Sequence, residues 1–245
     1  MVSVRAALKY MGVDPSSSAS ILNSLFGFSR TRAPTDPVTV SQVSLLNHLS
    51  SLKGKHIHLN IIRVGIDNAT DADEDKIDYA IYKARNIFRT VNLGVGRIEH
   101  YWVSSQEANG KDDIGSADEA EELTHEWSVP NDGIDIFIVR NISADFIGIS
   151  PAPGTCDKSD KDMNGVIGGE INLDAEELAR TFTHEIGHYL GLKHPHGDNC
   201  PSIGASERDK LMAQSRCANN TRTSVILSSA EGDTIRGHCF VRDGY

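Results

Sequence analysis

No window of this chain approaches the roughly 20 consecutive apolar residues of a membrane-spanning helix, so no membrane span is expected. Met1 to Met11 also lack the uninterrupted apolar run of a signal peptide. Either a signal has been lost from the chain as given, or it is exported without one, or it is intracellular. Basic residues are in deficit, 24 Lys and Arg against 34 Asp and Glu, for a formal net charge of -10. A phosphate-binding face needs an excess of cationic side chains, so no nucleic acid or anionic membrane surface is expected as the main partner. Cysteine is absent before Cys156. A thiol in an N-terminal segment therefore cannot be what blocks a site further along.

What is present suits one or two globular domains with a sizeable core: 245 residues, 39% hydrophobic and 24% charged. The chemistry concentrates in Thr183-His184-Glu185-Ile186-Gly187-His188-Tyr189-Leu190-Gly191-Leu192-Lys193-His194, which reads H-E-x-x-H-x-x-G-x-x-H. On a helix, His184 and His188 project from one face and can hold a single metal ion. Glu185 can reach a water on that metal. Gly191 is a natural helix stop, because glycine enters the left-handed region without a Cβ penalty, and the turn returns His194 as a third nitrogen ligand. Three protein ligands leave a fourth tetrahedral position open, as in a catalytic zinc site. Thr124-His125-Glu126 repeats the opening of the motif, but Val129 stands where the second ligand should be. That copy is expected at the surface.

The extended motif resembles that of the metzincin clan of zinc metallopeptidases. Leu211-Met212-Ala213 looks like the clan's Met-turn, which would place Met212 beneath the ligands as an apolar support. Pro195 after the third ligand is similar to the serralysin branch, but Gln214 stands where those enzymes carry a tyrosine, so no tyrosine is assigned to the metal. The resemblance covers about residues 55 to 245. It implies an α+β catalytic domain: a twisted, mostly parallel sheet with an antiparallel edge strand, a long backing helix, an active-site helix and a C-terminal helix. It also implies a monomeric zinc endopeptidase with His184, His188 and His194 as ligands and Glu185 as general base. A protein or peptide substrate would lie along the edge strand Phe146-Ile147-Gly148-Ile149, and Tyr189 with the loop from Ala213 to about Thr223 would line the pocket beyond the scissile bond. A zinc-binding module or toxin component that recognises a partner without cutting it is the alternative, and the intact Glu185 counts against it.

Residues 1 to 52 read as helix, break, helix, break, helix, with breaks at Asp14-Pro15 and Pro34 to Pro37. They are either a pro-segment covering the cleft or a helical appendage, ahead of a catalytic domain over residues 53–245. His56 to Val64 is β-rich, with His56 and His58 as ordinary strand histidines. Asp71 with Glu74 forms a capping box, after which Ile77, Ala80, Ile81, Ala84, Ile87, Phe88 and Val91 recur at helical spacing. Val95 to Val103 and Gly133 to Val139 read as strands, Ser116 with Glu119 caps a short helix between them, and Val166 to Leu173 can form a further strand. Asp174 with Glu177 caps the motif helix, and Ser228 with Glu231 caps a last helix through about His238. Asp160, Asp162 and Asn164 resemble the first half of a calcium loop, but Ile171 falls where the bidentate glutamate should be, leaving calcium or a plain acidic turn. Cys200 and Cys217 bracket the loop from the third ligand to just past the Met-turn, which favours their pairing and leaves Cys156 with Cys239, against four reduced thiols. Two disulfides would suit a secreted protein.

Overall fold

The computed structural model describes residues 54–159, 163–195, 204–220 and 222–244. The N-terminal extension, Asp160, Asp162 and Cys200 lie outside the described residues. In chain order the elements are β1 (His56–Val64), α1 (Asp71–Arg89), β2 (Gly94–Val103), α2 (Ser105–Ala108), β3 (Asp113–Ile114), α3 (Ala117–Glu126), β4 (Gly133–Val139), β5 (Asn141–Ile142), β6 (Gly165–Glu170), α4 (Ala175–Tyr189), α5 (Ala205–Arg208) and α6 (Ser229–Arg236).

The main sheet has the order β2-β1-β4-β6, and every pairing in it is parallel. β1 and β4 are central, and all their residues are buried. β4 accordingly reads as a near-continuous apolar run, whereas β1 also buries His56, His58, Asn60 and Arg63. On one face the Ile77, Ile81, Ala84 and Phe88 stripe of α1 meets Leu178, Phe182 and Ile186 of α4 over the strands. On the other face Leu123 of α3 packs with Phe137, Val139 and Ile167. The expected antiparallel edge is present in reduced form. Of Phe146 to Ser150, Ile149 alone forms a bridge, exchanging both backbone bonds with Ile167 of β6 (3.1 and 2.9 Å).

The helix starts follow side-chain chemistry. Asp174 accepts from the N–H groups of Glu176 and Glu177 at the head of α4, and Ser228 with Glu231 boxes α6. α1 corrects the sequence reading by one residue. Its box is Thr70 with Asp73, because Glu74 is drawn across to Arg63 of β1, which donates to it from Nε (3.0 Å) and Nη2 (2.5 Å). Arg63 is 2% exposed. Left unpaired there, its charge would cost several kcal/mol. β6 ends at Glu170 and α6 at Arg236, each shorter than the pattern suggests. Cys156 and Cys239 form the expected disulfide, and Cys217 is also disulfide-bonded.

His56 and His58 are strand histidines, both buried. The His58 Nδ1 accepts from the backbone N–H of Arg97 at 3.0 Å. Burial depresses the His58 pKa from 6.5 to about 4, with Asp132 opposing and Arg97 reinforcing the shift. Above the unfolded value the ring is neutral in both states. As pH falls below about 6.5, the unfolded chain takes up a proton that the folded chain refuses until about pH 4, so stability drops across that window. His58→Asn keeps an acceptor for Arg97 and removes the titration. Denaturant unfolding as a function of pH is expected to show a shallower acid-side decline in this variant than in the parent.

Candidate active site

α4 carries His184, Glu185 and His188 on the face turned away from its apolar stripe, and all three side chains are buried. Gly191 ends the helix with φ +99°. The Leu192 N–H bonds to the Gly187 carbonyl (2.9 Å) and the Gly191 N–H to the His188 carbonyl (2.8 Å), the paired closure of a Schellman turn. The turn swings His194 back over the helix. Its Nε2 lies 3.2 Å from the Nε2 of His184 and 3.0 Å from that of His188.

Which nitrogens are available is set from behind. The Nδ1 of His184 lies 2.8 Å from the Leu211 carbonyl and that of His188 lies 2.8 Å from the Leu192 carbonyl. A carbonyl only accepts, so each Nδ1 carries the proton and each Nε2 presents its lone pair to the common point. Burial lowers both pKa values and keeps both rings neutral. The side-chain amide of Gln214 lies 3.1 Å from the Nδ1 of His194. Three convergent nitrogens backed by fixed hydrogen bonds are a donor set that fits zinc.

Met212 is fully buried. Its sulfur occupies the space beside Gly187, where a Cβ would lie 2.7 Å from Sδ, so the Met-turn packs directly against the ligand helix. The Glu185 carboxyl is raised to about 8 by burial, with the Arg180 guanidinium working against the rise. A cleft of about 450 Å³ opens in front of these groups. Asp145 to Ser150 form one wall, Gln214 to Arg216 the other, and Arg180 and Thr181 complete the base beside the histidines and Glu185.

Phe146, Ile147, Gly148 and Ile149 are therefore brought to the cleft with the triad. Tyr189 is not, and this corrects the sequence reading. It is fully buried, its hydroxyl donates to the Thr155 carbonyl at 3.1 Å, and its ring packs against Gly154, His238 and Phe240. One residue beyond His188 is 100° further round the helix, which turns this side chain toward the C-terminal segment. Of the expected calcium residues only Asn164 is described. It is fully buried, with Nδ2 3.2 Å from the His125 ring. His125 and Glu126 are exposed, as expected of the truncated motif copy. The sequence reading missed Arg180 and Thr181, whereas Gln214, Ser215 and Arg216 belong to the loop from Ala213 that it expected there. The available signal was Arg180, a cation one helical turn before His184 on the ligand-bearing helix.

Residues 75–195 match the family model described as M12B reprolysin-like metallopeptidases. Among solved structures, metalloproteinase-II from Bacteroides fragilis matches with a TM-score of 0.50 at 13% identity, covering 77% of this chain and 54% of that one. This chain thus spans about half the length of that protein. Archaemetzincin from Methanopyrus kandleri matches with a TM-score of 0.45 at 14% identity, covering 73% of this chain and 94% of that one. No curated protein matches the sequence. Residues 75–195 are thus similar to the reprolysin-like metallopeptidases, and the three histidines at the end of this stretch form a donor set that fits zinc.

Gly191 has open space for a Cβ, with Thr234 Cγ2 at 3.6 Å, but its φ of +99° is one that L side chains rarely adopt. Gly191→Ala is expected to destabilise the fold by about 1–2 kcal/mol and to weaken zinc binding as His194 shifts. Thermal unfolding and a zinc titration against a chromophoric chelator measure the two effects.

Proposed function

We propose that the chain hydrolyses peptide bonds within protein substrates laid in extended form along residues 146–150. The observation that carries this reading is the convergence of three histidine Nε2 atoms in a cleft that Glu185 also lines. His184, His188 and His194 would hold zinc. The ion supplies Lewis acidity, lowering the pKa of water and polarising a carbonyl. Glu185 takes the proton from the attacking water and delivers it to the departing amine. The Arg180 charge beside it favours the ionised carboxylate that the first of these steps requires.

The edge segment supports recognition of backbone. Ile149 directs its N–H and C=O to Ile167. In a strand the neighbouring residues point the other way, so Gly148 and Ser150 offer theirs on the cleft side. An extended peptide adding there would be read by its main chain. A Cβ at Gly148 would lie 2.7 Å from Thr181 Cγ2, 2.9 Å from the Ile167 carbonyl oxygen and 3.0 Å from Glu185 Cγ.

Residues 1–52 are proposed as an extension or pro-segment outside the catalytic domain. The Cys156–Cys239 disulfide supports a secreted protein. A single polypeptide supplies every group of the site, in keeping with a monomer.

Elemental analysis paired with a peptide-library cleavage assay tests the reading. One zinc per chain is expected, with cleavage by the parent and none by Glu185→Ala, which keeps its zinc. Cleavage by Glu185→Ala at the parent rate would remove Glu185 from the mechanism. Zinc without cleavage by the parent, even after removal of residues 1–52, would leave a binding module. Gly148→Ala is expected to retain zinc and lower kcat/KM by roughly 10- to 100-fold, as the edge segment is pushed off its register with Glu185.

A further inference from the structure

We infer that Arg180 is a positioning residue for the metal centre: from α4 it locks the Met-turn loop in the one placement that orients His184 and His194. The inference rests on the zinc site proposed above. Arg180 is 2% exposed, and a buried guanidinium is retained only where its N–H groups and charge are matched. Its Nε donates to the Ser224 carbonyl at 3.0 Å, its Nη2 to the carbonyls of Leu211 (3.1 Å) and Ala213, and its Nη1 to the Ser215 hydroxyl at 3.3 Å. These acceptors come from two backbone segments, Leu211 to Ser215 and Ser224. The planar fork reaches both at once, which a single ammonium cannot do.

The Leu211 carbonyl is the shared atom. It accepts from Arg180 on one side and from the Nδ1 of His184 on the other, so the carbonyl that fixes the ring's tautomer is itself fixed by the guanidinium. Met212 follows and packs on Gly187. Ala213 is tied again by Arg180, and Gln214, next along the chain, meets the Nδ1 of His194. Two of the three ligand rings are thus held from behind by a loop whose carbonyls Arg180 gathers. The third, His188, is held by the Leu192 carbonyl of its own helix turn and lies outside this linkage. The charge also has a carboxylate in range, since Glu185 stabilises the Arg180 cation.

The test compares the parent with Arg180→Met, Arg180→Lys and Val103→Ala, a buried residue of β2 at the opposite edge of the sheet from β6. Zinc affinity is read by chelator competition and ligand geometry by the visible spectrum of the cobalt-substituted protein, neither of which needs a substrate. Arg180→Met is expected to weaken zinc binding by roughly 10- to 100-fold and to shift the cobalt bands. Arg180→Lys recovers part of both. Val103→Ala is expected to lower the thermal midpoint and leave affinity and bands at parental values. If Arg180→Met does not fold, Arg180→Lys decides, with an affinity below the parent's expected. Parental zinc affinity and cobalt bands in the Arg180 variants would overturn the inference while leaving the proposed function standing. So would losses that Val103→Ala reproduces at the same thermal midpoint. A parent chain that binds no zinc would overturn both.

Discussion

Two imidazole nitrogens within 3.2 Å of a third set like poles face to face, and much of the surrounding structure serves to keep them there. Each ring has two nitrogens, and only a proton fixed on the rear one leaves the front one free to bind a cation. The helix turn supplies one rear acceptor, the Leu192 carbonyl, and the Met-turn supplies another, the Leu211 carbonyl. Neither can be had without a particular chain reversal. The first needs Gly191 at positive φ, and the second needs a loop some 27 residues downstream of His184 to return beneath its ring.

That requirement explains the layout of the domain. α4 cannot rotate, because Leu178, Phe182 and Ile186 are sunk into the same core as the α1 stripe. Rotation by one residue would carry both histidines out of the cleft. β6 lets the helix approach closely: a Cβ on Gly168 would lie 2.8 Å from Ile136 Cγ2 and 3.4 Å from the Phe182 ring. The same strand pairs with Ile149 on its free side. One strand therefore sets both the depth of the ligand helix and the position of the cleft wall.

The histidine triad and most elements were legible in the sequence because the signals are local. His184, His188, Gly191 and His194 fall within one helix and its stop, and the caps at Asp174 and Ser228 are decided within four residues. Where a distant partner intervenes, local reading slips. Asp71 with Glu74 is as good a box as Thr70 with Asp73 until Arg63, buried in another element, claims Glu74. Tyr189 was misplaced for a related reason. Its neighbours Gly154, His238 and Phe240 come from the segments joined by the Cys156–Cys239 disulfide, and nothing in the motif announces them. The cleft walls are loop segments, whose positions follow from long-range packing rather than from pattern.

Gly148 shows how the edge segment and Glu185 are tied together. Any side chain there would press on Thr181, on the Ile167 carbonyl and on Glu185 at once, so the backbone at this point can approach α4 only if the side chain is absent. On the proposed function that closeness has a consequence. A peptide paired to the Gly148 and Ser150 main chain runs past Glu185 at a separation fixed by backbone geometry rather than by its own side chains, so the scissile bond is placed before any specificity pocket is filled. Choice of sequence is then left to the opposite wall, Gln214 to Arg216, which carries none of the backbone pairing. The two tasks fall on different segments, and they meet only through α4, which Gly148 touches on one side and the Arg180 fork binds to the Met-turn on the other.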